Sequence, residues 1–106
     1  MIQIRVKKEN GDYVFFKCRG HAGYAASGSD IVCAAVSALV VTTENALCKL
    51  TDQVYDLTEE DGYVSIRFHN GNNEKSRLLM DSLILGLQEI EKTYHRRFLT
   101  LTIRED

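Results

Sequence analysis

An α+β domain, built as a two-layer sandwich with a mostly antiparallel sheet and two helices on one face, is predicted by three observations in the 106-residue chain. Apolar and polar residues alternate in three places: Ile2, Ile4 and Val6 against Gln3, Arg5 and Lys7; Val64, Ile66 and Phe68 against Ser65, Arg67 and His69; Leu99, Leu101 and Ile103 against Thr100, Thr102 and Arg104. A period of two marks strands with one packed and one wet face. Two other stretches carry apolar residues at helical spacing. The helical stretches fall between the strands in the order ββαββαβ, which a sheet with one covered face accommodates.

The segment from Ile2 to Val6 pairs with the aromatic run Tyr13 to Cys18 as a hairpin, because Asn10-Gly11 tolerates the positive φ angles of a tight turn. Gly20 to Ser29 holds three glycines within nine positions and reads as a loop. Ser29 or Asp30 is the N-cap for a helix from Ile31 to Leu50, and apolar or small residues on nearly every face of that helix predict that it is buried. Strands Val54 to Thr58 and Tyr63 to Phe68 follow, joined by Glu59-Glu60-Asp61-Gly62. Leu79, Leu83, Leu87, Ile90 and Tyr94 then mark an amphipathic helix, and Leu99, Leu101 and Ile103 a last strand. On this assignment Tyr13, Phe15, Tyr63, Phe98, Thr100 and Thr102 face away from the helices. An apolar patch of that kind predicts a homodimer.

Composition narrows the function. With 44% hydrophobic and 26% charged residues, positions 1 to 106 fit one globular domain. Thirteen Lys and Arg against fifteen Asp and Glu give a net charge of −2, so direct nucleic-acid binding is not expected. The longest apolar run, Ile31 to Val41, is interrupted by Ser37 and falls short of the ~20 residues that span a membrane, so no membrane is expected as a partner. The N-terminal alternation reads as a strand and not as a signal-peptide core. The cysteines, Cys18, Cys33 and Cys48, are odd in number and contain no Cys-x-x-Cys pair. A disulfide framework is therefore not expected, and a reducing cytoplasm is.

The chemistry concentrates around the glycine-rich loop, with His21 at its start and Cys33 just beyond its end. If Asp30 caps the helix, Cys33 sits in the first turn, where unpaired N–H groups and the helix dipole stabilise a thiolate. A thiolate beside an imidazole can attack an acyl carbon, with the first helical N–H groups steadying the oxyanion. The plainer alternative is that a helical cysteine is a small core residue, and Cys18 and Cys48 are read that way. His69 and His95 read as surface residues. Cys18, His21 and Cys33 could supply three ligands to zinc, but structural zinc usually takes four at tight spacing, so no metal or cofactor is expected. A phosphate loop is disfavoured, because the segment lacks both the Lys-Ser/Thr ending and the G-x-G-x-x-G pattern.

The paired motif Gly20-His21-Ala22-Gly23-Tyr24-Ala25 and Gly28-Ser29-Asp30-Ile31-Val32-Cys33-Ala34-Ala35-Val36-Ser37 resembles the ribosomal-processing cysteine protease family, Prp. The resemblance extends over the whole chain in length and element order. It implies a cytoplasmic, homodimeric endopeptidase that removes the N-terminal extension of large-subunit ribosomal protein twenty-seven. Carried over by position, it makes Cys33 the nucleophile and His21 the general base, with Asp30 and Ser37 in support. It further implies that the loop from Ala22 to Ser29 closes over the extended substrate, with Gly20, Gly23 and Tyr24 lining the binding site, and that cleavage follows a pair of aromatic residues. The alternative function is a non-catalytic, ribosome-associated binding module.

Overall fold

The alternating segments become five strands and the periodic ones two helices: β1 (Ile2–Glu9), β2 (Asp12–Arg19), α1 (Ile31–Leu50), β3 (Tyr55–Glu60), β4 (Tyr63–Phe68), α2 (Glu74–Tyr94) and β5 (Leu99–Glu105). They are seen in a computed structural model that describes residues 1–20, 30–94, 96 and 98–106. The sheet order is β3-β4-β2-β1-β5, antiparallel throughout except for the parallel pair of β1 and β5. The order ββαββαβ and the two-layer sandwich are as expected. The third strand starts at Tyr55 and runs on to Glu60, two residues beyond the expected end, because Glu59 and Glu60 continue the ladder opposite Val64 and Tyr63.

One core lies between the sheet and the helices. Ile2, Ile4 and Val6 of β1, Phe16 of β2 and Ile66 of β4 meet Val32, Val36 and Leu47 of α1 and Met80, Leu83 and Leu87 of α2. The hairpin turn forms at Asn10 (φ +51°) and Gly11 (φ +85°), as their positive-φ tolerance predicts.

Three expectations fail for physical reasons. Tyr13 does not face away from the helices. Lys8 pairs with Tyr13 while Lys7 pairs with Phe15, so Val14 is an extra residue in β2, and this bulge turns Tyr13 inward. There it is 3% exposed, its hydroxyl donates to Asp81 of α2, and burial followed by the Asp81 contact raises its pKa well above the usual phenol range. Phe98 also packs against the core, because it precedes β5 and offers its carbonyl to the Ile2 N–H at 2.9 Å. The open face that remains carries Phe15 and Tyr63 under arginines and is not an apolar patch.

Helix α1 is buried on one stripe only. Val32, Val36, Val40 and Leu47 are in the core, whereas Ile31, Val41 and Leu50 are 49%, 46% and 64% exposed, since a two-layer fold puts nothing above the helix. Its 20 residues are long and apolar enough to cross a membrane by length and composition. A core helix passes the same test, and here the inner stripe is packed against the sheet.

Candidate active site

The start of α1 is built by Asp30. With extended backbone at φ −77° and ψ 103°, it caps the helix: one carboxylate oxygen, Oδ1, accepts from the Val32 and Cys33 N–H groups, both at 3.0 Å. The Asp30 carbonyl takes the Ala34 N–H at 3.1 Å. Cys33 thus stands in the first turn as expected. Its thiol donates to the second oxygen, Asp30 Oδ2, at 3.4 Å. The amides of Val32, Cys33 and Ala34 already donate to Asp30, which counts against their steadying an oxyanion in this arrangement.

Two opposed electrostatic influences meet on the sulfur. The helix N-terminus favours a thiolate, whereas a carboxylate that accepts the S–H favours the neutral thiol. The contact with Asp30 orients the sulfur, and attack on a carbonyl carbon requires its thiolate form.

Cys33 opens into a cavity of about 280 Å³ between α1 and the β3–β4 hairpin. Val36, Ser37, Val40 and Val41 form its α1 wall, Cys18 comes from β2 and Gly20 from just beyond its end, and Glu59 to Val64 form the opposite wall. Ser37 therefore shares the cavity with Cys33, one helical turn on. Gly20, at φ +97°, donates its N–H to the Gly62 carbonyl at 2.8 Å, and a Cβ there would lie 2.5 Å from the Met1 carbonyl oxygen. Only glycine fits this position, where β2 leaves the sheet beside the hairpin tip.

Of the remaining expected site residues, His21, Gly23 and Tyr24 lie outside the described residues, as does the loop from Ala22 to Ser29 to which substrate closure is assigned. His95 lies outside them too. Of the three residues weighed as zinc ligands, Cys18 and Cys33 line the same cavity and His21 is not described; among the described residues no three His, Cys, Asp or Glu side chains cluster as metal ligands do.

The other cysteines separate. Cys18 is half-buried in the cavity lining, where burial, and secondarily Cys33, push its thiol up to about 11. Cys48 is exposed and not a core residue, and it contacts Tyr55 of β3. His69 has a partner that its sequence neighbours do not reveal: Asp56 on the adjacent strand, with Oδ2 at 2.8 Å from Nε2. In the sequence the acidic stretch Glu59-Glu60-Asp61-Gly62 is a connection between strands; in the fold it is a wall of the cavity. Nothing local marks Glu59 to Tyr63 as part of a site, since it is the antiparallel pairing of β4 with β2 that carries them to α1.

The family model for the cysteine protease Prp matches residues 1–98. The chain belongs to the Prp family of cysteine proteases. The ribosomal processing cysteine protease Prp of Bacillus subtilis is 32% identical over 101 residues, covering 89% of this chain and 90% of that protein. The protein of the same name from Staphylococcus aureus is 36% identical over 78 residues, covering 72% and 74%. Among solved structures, Prp from S. aureus in complex with a covalently linked product peptide matches with a TM-score of 0.89 and 28% identity over all of both chains. SMU.848 from Streptococcus mutans matches at 0.85 and 35%, covering 100% of this chain and 96% of that one. The non-catalytic module is thereby set aside in favour of a cysteine protease that processes ribosomal proteins.

Proposed function

We propose that this Prp-family chain removes the N-terminal extension of large-subunit ribosomal protein twenty-seven, with Cys33 as nucleophile and His21 as general base. The observation that carries the reading is the position of Cys33, oriented by Asp30 in the lining of the cavity between α1 and the β3–β4 hairpin. His21 takes the thiol proton, and the sulfur attacks the scissile carbonyl carbon. The C–N bond then breaks as the imidazolium returns the proton to the leaving amine, and water hydrolyses the thioester with His21 again as base. Val36, Val40 and Val41 offer an apolar wall suited to aromatic side chains ahead of the cut. Glu59, Glu60 and Asp61 opposite them suit the cationic stretches that proteins bound to ribosomal RNA carry. Gly20, Gly23 and Tyr24 are assigned to substrate binding, Ser37 to its support, and the loop from Ala22 to Ser29 to closure.

The reading includes cytoplasmic action, where thiols stay reduced. It also includes a homodimer, for which the support is now Leu78 and Leu85, 68% and 65% exposed and seven residues apart on α2. Light scattering separates one copy of 12.0 kDa from two.

The deciding experiment incubates the purified chain with the extended precursor and reads the new N-terminus by mass spectrometry. Cleavage after an aromatic pair is expected, with Cys33→Ala and His21→Ala both folded and both inactive. Full activity in Cys33→Ala overturns the assignment.

A further inference from the structure

We propose that the helix-free face of the sheet is an RNA-binding surface, on which cations of β1, β2 and β5 hold the phosphates of a single strand and the Phe15–Arg67 stack receives its bases. The register carries the inference. Arg5 lies directly opposite Lys17, and Lys7 directly opposite Arg104. Like charges facing one another across a ladder oppose folding, and an anion bound between them removes that repulsion. Lys7 is answered by Glu9 at 3.3 Å and Asp106 at 3.8 Å. Among the described residues, no carboxylate comes within 4.0 Å of the side-chain nitrogens of Arg5, Lys17 or Arg104. These side chains frame a groove of about 430 Å³ whose floor includes the half-buried Phe15 ring, and the Arg67 guanidinium lies over that ring at 4.8 Å.

The face's own acids lie at its borders: Glu9 and Asp106 pair with Lys7 at one end of the groove, and on the edge strand β3 Asp56 lies opposite Arg67 and Glu60 opposite Tyr63. The net charge of −2 conceals this segregation, because the acids lie mainly on other surfaces while six cations, Arg5, Lys7, Lys17, Arg19, Arg67 and Arg104, project from one face. A second copy seated symmetrically here would set cations against cations. Cations around an aromatic plate on a sheet match a single-stranded nucleic acid better than an acidic peptide, which has no bases to stack. RNA is favoured over DNA because the family processes ribosomal proteins, whose surroundings are RNA. The groove is on the face opposite Cys33, so the binding surface does not depend on the roles given to Cys33 and His21, and only the choice of RNA over DNA rests on the family.

The test is fluorescence anisotropy of a labelled single-stranded oligoribonucleotide of mixed sequence, titrated with the full chain at several salt concentrations. Three or four phosphate contacts predict a plot of log affinity against log salt with a slope of about −2 to −3. The double variant Arg5→Glu with Lys17→Glu should lose affinity by about ten-fold or more and flatten the slope by about two. Lys75→Glu on α2, a control with one reversed charge elsewhere, should leave both nearly unchanged. Phe15→Ala should weaken binding of RNA but not of heparin, an anion without bases. Lys17→Glu alone places opposite charges at the Arg5 pair, so it should melt higher than the parent while binding RNA less well, which separates folding from recognition. All four variants should cleave a free substrate peptide at the parental rate. The inference is overturned by unchanged affinity in the double variant, by equal affinity for the matched DNA strand, by heparin and RNA losing affinity alike in Phe15→Ala, or by a halved mass in the double variant on light scattering.

Discussion

Asp30 performs two tasks that substitutions can pull apart. Its Oδ1 caps α1 and its Oδ2 accepts the Cys33 thiol, so an amide that keeps the cap while losing the charge changes only the second. Asp30→Asn is expected to leave stability nearly unchanged and to shift alkylation of Cys33 by iodoacetamide to lower pH, because no carboxylate then stabilises the neutral thiol. Asp30→Ala should in addition lose about 1 kcal/mol of stability with the cap. The experiment is best read in a Cys48→Ser background, since Cys48 is exposed and reacts as well. Cys18 serves as the internal slow control, its thiol pushed up to about 11 by burial. An alkylation profile of Asp30→Asn that superimposes on the parent's would mean that the contact between Asp30 and the sulfur does not govern thiol ionisation. At this scale the sequence exposed the Cys33–Asp30 motif because both tasks act over three residues of one helical turn. The Asp56–His69 contact stayed hidden, because it crosses between strands thirteen residues apart.

At the scale of elements, the end of β2 and the tip of the β3–β4 hairpin are joined through Gly20. A side chain there meets both a positive φ and the Met1 carbonyl, so Gly20→Ala must strain the backbone or push the N-terminal strand away. A loss of about 1 to 3 kcal/mol in urea unfolding is expected, together with reduced cleavage, because the strain falls on the wall of the cavity that holds Cys33. A variant as stable and active as the parent would show that the chain relaxes there at no cost. The bounds of α1 and β4 were legible from capping and alternation alone. The bulge at Val14 was not, because Tyr13, Phe15 and Phe16 are all good strand residues and a one-residue slip leaves no mark on propensity. That slip decides which aromatic rings enter the core, and with it the character of the open face.

The whole molecule places one carboxyl badly for stability. Glu44 of α1 is 9% exposed, and its Oε1 has no hydrogen-bond partner among the described residues. Burial, and next the charge of Glu59, hold this carboxyl above the usual carboxylate range. The folded state therefore keeps the Glu44 proton to higher pH than the unfolded chain does. Its contribution to stability is most favourable below the unfolded value of about 4.3 and declines as pH rises through the folded value. Glu44→Gln should remove the decline: melting temperatures measured across pH should show the variant gaining on the parent from pH 4 to neutrality, whereas parallel profiles would sink the idea. The same scale separates charge by face, which no count of residues could reveal. By itself the sequence determined the order of elements, the helix that presents Cys33 and the family, because alternation, capping and a contiguous motif are local properties that short-range physics fixes. Only the tertiary structure decided that the β3–β4 hairpin walls the cavity and that six cations share one face. Those outcomes depend on strand register and on contacts between residues far apart in the chain, where one inserted residue turns a side chain from solvent to core.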